Sequence, residues 1–383
     1  MSDVVQLLRE LVRIDSVNPD IVPGAAGEAK AAEHVARWLS DRGFAVQRLE
    51  ARAGRPSIVG IRKGKGGGRS LMLNGHLDTV GVAGYLGDPF SARIEGGRLH
   101  GRGSIDMKAG VAAMLVAAER AARTGLAGDL LVACVADEEC ASIGSEEVAA
   151  AFHPDAVIVT EPTDLDIVVT HKGFVWLDIA VEGKAAHGSR PDLGIDAIAK
   201  AGHFLVAIEA LDQRLRGGRP VPLLGTGSVH ASLITGGQEM SSYPERCTVR
   251  IERRTVPGET VEGAEQEVRT LVADLAKSVP EFRARVTRGL AREPLPDAGS
   301  SALVQCLETA AAARLGRRPR RSGMTGWTDC AIFAAGGIPS VLFGPSGEGL
   351  HAATEWADIA SVEAVTDVLT ETVTRFCGAD ASL

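Results

Sequence analysis

Aromatic side chains are scarce in this chain: Phe, Trp and Tyr together make up 4% of its 383 residues. A core of ordinary density must then be filled mainly by Ala, Val and Leu. Cysteine is sparse as well. The 6 cysteines, Cys134, Cys140, Cys247, Cys306, Cys330 and Cys377, form no close C-x-x-C pair. That spacing excludes a thiolate metal knuckle and suits reduced thiols in a cytoplasmic setting. No apolar stretch approaches the ~20 residues of a membrane-spanning helix. Nor does the start read as a secretory leader: Met1-Ser2-Asp3 is acidic, and Val4, Leu7, Leu8, Leu11 and Val12 follow at helical spacing. The expectation is a cytoplasmic protein with no membrane partner. Excess positive charge is missing too. Lys and Arg number 41 against 49 Asp and Glu, a formal net charge of −8, which excludes a nucleic-acid phosphate backbone as the partner. The basic run Arg317-Arg318-Pro319-Arg320-Arg321 goes against this trend and reads as a solvated loop.

What is present points to an α/β protein of two domains, since a chain of this length exceeds what one core usually serves. A helical stripe (Ala32, Val35, Ala36, Leu39) ends at Gly43. Strand-like runs follow at Ser57–Ile61, Ser70–Asn74, Leu130–Val135 and Ala156–Val159. Their unbroken apolarity suits strands covered on both faces, in a helix-sandwiched mixed sheet. From Phe174 the rhythm changes. A strand pattern (Phe174–Val181), a helix (Ile195–Leu211), two strands (Val229–Thr235, Cys247–Arg254), a helix (Thr260–Ser278) and a strand (Phe282–Thr287) spell βαββαβ, a ferredoxin-like unit. The expected organisation is a catalytic domain made of residues 1–172 and 289–383, interrupted at 173–288 by a lid or dimerisation domain.

Five short stretches end apolar runs with metal-binding side chains. His76 and Asp78 follow a strand, where α/β sheets place ligands, so His76 can bind a metal while Asp78 holds its other ring nitrogen. Asp106 follows Gly101 and Gly103, with Lys108 and a helix start favouring its charge. Asp137-Glu138-Glu139 ends another apolar strand; such neighbouring acids can divide the labour of metal ligand and proton acceptor. Glu161 ends a third strand, and His351 lies in a Gly-rich loop after a fourth. Taken singly, each has a plain alternative: a satisfied surface histidine, a helix cap, a solvated acidic loop. Their joint occurrence at four strand ends and one helix start favours a two-metal hydrolase site. His34, His100, His153, His203 and His230 lack any comparable context.

With these motifs the chain resembles the two-zinc metallopeptidase and amidohydrolase family that includes acetylornithine deacetylase, succinyl-diaminopimelate desuccinylase, aminoacylase and glutamate carboxypeptidase. The likeness runs through Asp15-Ser16-Val17-Asn18-Pro19, Gly75-His76-Leu77-Asp78-Thr79, Gly101-Arg102-Gly103-Ser104-Ile105-Asp106-Met107-Lys108, Asp137-Glu138-Glu139, Glu161-Pro162, Ala186-His187-Gly188, Arg253-Arg254-Thr255 and Gly326-Trp327-Thr328-Asp329. It implies that His76 and Glu161 hold one metal, that Glu139 and His351 hold a second, and that Asp106 bridges them through a cis peptide to Met107. By the same carry-over, Glu138 is the general base, Asp78 orients His76 and His187 of the lid stabilises the oxyanion. Arg254 and Gly326 would contact substrate. The implied cofactors are two Zn²⁺, with Co²⁺ or Mn²⁺ possible at carboxylate-rich sites. The implied reaction is hydrolysis of the amide of a small N-acyl amino acid by a homodimer joined through the lid. Carboxypeptidase or dipeptidase action on the same scaffold is the alternative; a non-catalytic relative would be expected to have lost one of these residues. Where relatives often carry an Asn before an Ile-Pro pair, this chain reads Met240-Ser241-Ser242-Tyr243-Pro244.

Overall fold

The apolar runs form the centre of an eight-stranded sheet in the computed structural model, which describes residues 1–379. Its strand order is Ala45–Leu49, Ser57–Arg62, Leu130–Val135, Leu71–His76, Ala156–Val159, Ser340–Leu342, Ile167–His171, Arg321–Met324. Leu71–His76 runs parallel to Leu130–Val135 on one side and to Ala156–Val159 on the other, and Ser340–Leu342 runs parallel to Ala156–Val159. In this register His76 stands opposite Val135, Asn74 opposite Val159, and Val159 opposite Leu342. The segments that follow all four strands therefore leave the sheet at the same carboxyl edge.

Alternation along the strands sends side chains to two covered faces. Leu71, Leu73, Leu130 and Val132 join one core with the helices Asp3–Val12, Ala29–Asp41, Ala109–Ala122, Ala302–Leu315 and Ile359–Phe376. Met72, also fully buried, lies outside that cluster. The helices Ile143–Ala151 and Cys330–Ala335 pack together and onto neighbouring strands, Leu130–Val135 and Ser340–Leu342 respectively. Both faces are covered, as continuous apolar strands require. In place of aromatics the core has Ala109–Ala122, an alanine-rich helix whose whole first part is buried.

Two compact units emerge: Met1–Val169 with Asp297–Ser322 and the chain from Thr328, and Thr170–Pro296 with Gly323–Trp327. The second contains an antiparallel sheet in the order Ser228–Gly236, Arg246–Thr255, Gly173–Glu182, Arg283–Arg292, with the helices Ala197–Arg216 and Val261–Ser278. In chain order this is βαββαβ. Its own core gathers Val175, Leu177, Ile179, Phe204, Val249 and Val268. Asp196 caps the first helix by accepting from the amides of Ile198 and Ala199, and Thr260 caps the second through Gly263.

The boundaries differ from expectation in three places, the smallest being a start at Thr170 rather than 173. The last strand continues to Arg292 across a register irregularity between Arg288 and Ala291, so this unit ends at Pro296 rather than at 288. Gly323–Trp327, expected in the catalytic domain, belongs to the second unit, because the Trp327 ring packs edge-on to His171 and Phe174. Among the described residues no helix is long and apolar enough to cross a membrane.

One close approach links core to site. A Cβ on Gly110 would lie 1.9 Å from the Thr160 carbonyl oxygen, whereas one on Gly202, in the helix Ala197–Arg216, would meet nothing within 4 Å. Gly110→Ala should therefore cost about 1–3 kcal/mol through overpacking. Gly202→Ala should stabilise by about 0.5–1 kcal/mol, as an alanine does in a helix interior. Denaturant titration of both variants checks the opposite signs; a Gly110→Ala protein as stable as the parent would refute the argument.

Candidate active site

His76 closes its strand with a ring only 1% exposed. Its Nδ1 lies 2.9 Å from the Asp78 carbonyl oxygen and 3.6 Å from the Asp78 carboxylate. The expected orientation of the ring by Asp78 thus runs through the main chain. A proton on Nδ1 donated to that carbonyl leaves Nε2 bare, and Nε2 faces Asp106 Oδ1 at 3.3 Å, Glu161 Oε1 at 3.5 Å and Glu138 Oε2 at 3.9 Å. The Asp78 carboxylate is occupied elsewhere, accepting from the backbone amides of Glu138 and Glu139, each at 3.1 Å.

Asp106 presents its two oxygens to two histidines. Oδ1 faces His76, and Oδ2 lies 3.3 Å from His351 Nε2, which is itself 3.0 Å from Glu139 Oε2. The Asp106–Met107 peptide is cis. Glu355, unremarked in the sequence, organises this loop. Its buried carboxylate accepts from the amides of Gly103 and Ile105 at 2.9 Å and of Asp106 at 3.1 Å, and from Arg102 Nη1 at 2.7 Å. Lys108 is fully buried but donates to the Ile14 carbonyl at 2.8 Å instead of supporting Asp106 directly. His351 arrives from a short hairpin, between Gly347–Glu348 and Trp356–Asp358, and its side chain is 57% exposed.

The structure therefore brings His76, Asp106, Glu138, Glu139, Glu161 and His351 to one place. Donor atoms of His76, Asp106 and Glu139 lie within 4.8 Å of one another, as do those of His76, Glu138 and Glu161, and each group could hold a metal ion. Asp329 is a further buried carboxylate; Ser145 Oγ donates to its Oδ2 at 2.6 Å, and its charge raises the pKa of both Glu138 and Glu161. The sequence signal for it was its place in Gly326-Trp327-Thr328-Asp329. Glu355 left no comparable signal, being a lone acid next to Trp356.

The donor set fits divalent cations on physical grounds. Glu139 Oε1 and Asp329 Oδ1 are buried with no hydrogen-bond partner, an arrangement that is costly unless a cation or proton intervenes. Burial pushes the Glu161 carboxyl up to about 8, Glu139 to about 6 and Glu138 well above the usual range. Burial opposes protonation of His76, yet the adjacent Asp106, Glu161 and Glu138 lift its ring well above normal. Hydrogen bonds that its ring donates to Asp106 and Glu139 raise His351 to about 10. Asp106, despite burial, is held well below the usual carboxylate range by the two histidines. Without cations, protons neutralise the cluster.

Three other expected residues lie in the second unit. His187 is exposed, with Nδ1 2.7 Å from Ser189 Oγ, in a loop where the Gly188 amide donates to Ser241. Arg254 is half-buried over the Phe174 ring, and its Nε donates to Glu252 at 2.7 Å. That pairing leaves it less free for a substrate carboxylate than an unpaired arginine would be. Gly326 sits beside Trp327, whose Nε1 donates to the Glu293 carbonyl.

A helix-covered α/β sheet with two histidines and several carboxylates at its carboxyl edge defines a metal-dependent hydrolase. Residues 72–375 match peptidase family M20/M25/M40, and the chain belongs to that family. Acetylornithine deacetylase of Myxococcus xanthus is 29% identical over 99% of this chain and 100% of its own length. A family M20 metallo-carboxypeptidase from Sulfolobus solfataricus shares the fold with a TM-score of 0.81 at 17% identity, over 98% of this chain and 99% of that one. So does a dinuclear metal-binding peptidase of the same family from Bacillus subtilis, with a TM-score of 0.73 at 16% identity over 98% and 97% of the two chains.

The protonation pattern sets a pH dependence for cation binding. Glu161 and Glu139 take up protons as pH falls through about 8 and about 6, and His351 stays protonated below about 10. Every one of these groups must lose its proton to donate to a cation. Apparent affinity for Zn²⁺ or Co²⁺ should therefore rise with pH, with net proton release on binding. Calorimetry in buffers of different ionisation enthalpy measures that release; binding without it would contradict the charge arrangement described.

Proposed function

We propose that this protein hydrolyses the amide bond of a small N-acyl amino acid, in the manner of acetylornithine deacetylase or succinyl-diaminopimelate desuccinylase. The observation that carries this reading is the likeness over 99% of the chain to a protein named acetylornithine deacetylase, joined to the convergence of His76, Asp106, Glu139, Glu161 and His351. In this reading His76 and Glu161 would hold one Zn²⁺ and Glu139 and His351 a second, with Asp106 available to both; Co²⁺ or Mn²⁺ would suit the same donors. Such ions acidify water and polarise the acyl carbonyl. Glu138 takes a proton from the attacking water and returns it to the leaving amine. Its raised pKa and its position beside His76 suit that exchange. Asp78 holds the turn that carries Glu138 and Glu139 through its two amide contacts.

His187 would donate a hydrogen bond to the developing oxyanion, from its own chain or from a partner subunit in a homodimer joined through the second unit. Arg254 and Gly326 would contact the substrate. The setting proposed is cytoplasmic, with no nucleic-acid or membrane partner. Carboxypeptidase or dipeptidase action is the second reading, compatible with membership of the same peptidase family. A panel of N-acetyl and N-succinyl amino acids and dipeptides, assayed with Zn²⁺ and with Co²⁺, separates the two. Cleavage of dipeptides alone would reject the deacylase reading.

The division of labour in the acidic turn makes its own prediction. Glu138→Gln should lower turnover by a factor of about 10² or more, as loss of a general base does, with metal content intact. Glu139→Gln should lower metal occupancy, read by elemental analysis. Equal metal loss in both proteins would remove the assignment.

His187→Ala should lower kcat by roughly 10²–10³, the effect of losing one oxyanion donor, with a much smaller change in KM. Mixing His187→Ala with Glu138→Gln protein tests action across subunits. Recovery of activity in hybrid dimers supports it, and none despite subunit exchange confines His187 to its own chain or to no role.

A further inference from the structure

The turn that carries Glu138 and Glu139 is tied to an arginine about eighty residues earlier. Arg55, its side chain 4% exposed, gathers three carboxylates. Its Nε and Nη2 donate to the two oxygens of Glu28 at 2.7 and 2.6 Å, Nη2 also to Asp137 Oδ1 at 2.8 Å, and Nη1 to Asp20 Oδ2 at 2.6 Å. Glu28 in turn accepts the Asp137 backbone amide at 3.2 Å. Asp137 thus has its amide and one carboxylate oxygen fixed from the same side.

From Asp137 the path continues to the site. Asn18 Nδ2 bridges Asp137 Oδ1 at 3.0 Å and Asp78 Oδ2 at 2.8 Å. The Asp78 carboxylate receives the amides of Glu138 and Glu139. Asp137 has φ 70°, a left-handed conformation that costs a non-glycine residue of order 1–3 kcal/mol and persists only where surroundings impose it. Here the imposing contacts are those with Arg55, Asn18 and Glu28, together with the amides of Cys140, Ala141 and Ser142 that close on the Asp137 carbonyl.

The same place accounts for a second cluster of donors. Atoms of Asp20, Asp137 and Cys140 converge closely enough to suit a cation, and the Arg55 guanidinium already bonds two of these three residues. The protein supplies its own cation there. The planar fork of an arginine can serve Glu28, Asp137 and Asp20 together, a geometry that a lysine ammonium cannot reproduce.

We propose that Arg55 is a positioning residue for catalysis, a resident cation that fixes, through Asp137 and the Asn18–Asp78 bridge, the turn presenting Glu138 and Glu139 to the reaction. The inference rests on the proposed roles of those two glutamates, and it makes Arg55 act on them without touching substrate or metal.

Two variants test it. Arg55→Lys keeps the charge and loses the fork. Arg55→Met combined with Glu28→Gln removes the most buried pair together; Asp137 keeps its charge and the bond from Asn18, and Asp20 is part-exposed. Hydrogen exchange on the metal-free proteins reads the turn directly. Amides of Glu138 and Glu139 should exchange at least about tenfold faster than in the parent, while those of Leu71–His76 and Leu130–Val135 keep their protection. In the metal-loaded proteins kcat should fall about 10- to 100-fold, the usual cost of losing an outer contact that orients site groups, with KM nearly unchanged. Unaltered exchange at Glu138 and Glu139, or faster exchange with undiminished kcat, would overturn the proposal. Loss of protection throughout the sheet would assign Arg55 to general stability instead. Inactivity of the parent on every acyl and peptide substrate would refute the hydrolase roles separately, since the exchange comparison needs no activity.

Discussion

Mutual repulsion among buried carboxylates is the constraint around which the rest of the first unit is arranged. Asp106, Glu138, Glu139 and Glu161 share a pocket with one buried histidine, and all four side chains are 12% exposed or less. Two like charges about 4 Å apart cost on the order of 4 kcal/mol at an effective dielectric near 20. The fold therefore has to hold these groups together against their own electrostatics. It does so with backbone amides and with cations it owns. Asp78 and Glu355 are acids used as acceptors: the first takes the amides of the Glu138–Glu139 turn, the second those of the Asp106 loop. Arg102 pairs with Glu355, and Arg55 pairs with Glu28 and with Asp137 of the acidic turn.

Parallel pairing makes such crowding possible. A parallel sheet ends several strands at one edge, and here the register puts the residues after Val135, Val159 and Leu342 beside His76. Covered on both faces, those strands have little freedom to slide, because a one-residue slip would exchange the side chains of the two faces. The register set deep in the sheet is thus also the register of the catalytic edge. Gly110, pressed against Thr160, brings the following helix to the same edge.

How much of this could be read from the residues follows from what leaves a local imprint. An apolar run closed by His76, Asp137 or Glu161 announces both strand and site, because burial and chemistry meet within a few positions. The βαββαβ order of the second unit is equally visible, since each element carries its own periodicity. Glu355 and Arg55 were not visible. Each meets its partners across a long stretch of chain, up to 253 positions for Arg102 and Glu355, and a lone charged residue has no periodicity to betray it. The further use of the Asp78 carboxylate was hidden for a related reason: while the Asp78 carbonyl holds the His76 ring, its carboxylate accepts from amides of a turn sixty positions on. The boundary near 288 failed where a register irregularity lets the strand run on to Arg292, and periodic patterns do not cross such irregularities. The place of Gly323–Trp327 depended on one aromatic packing contact.

The division of the chain has a consequence for the order in which the protein is made. The βαββαβ sheet and both of its helices are complete by Pro296, so this unit has nearly all its parts before the segments from Asp297 onward are added. The first unit must wait. Its strand Ser340–Leu342 and the helix Ile359–Phe376, which fills the core against Ala109–Ala122, come later, and between them comes His351, opposite Asp106 and Glu139. Until those residues arrive, the acidic edge has an incomplete sheet, an unfilled core beneath it and only one of its two histidines. Assembly of the charged pocket is thereby deferred until the helix Ile359–Phe376 has been made, when the packing that must restrain it is also present.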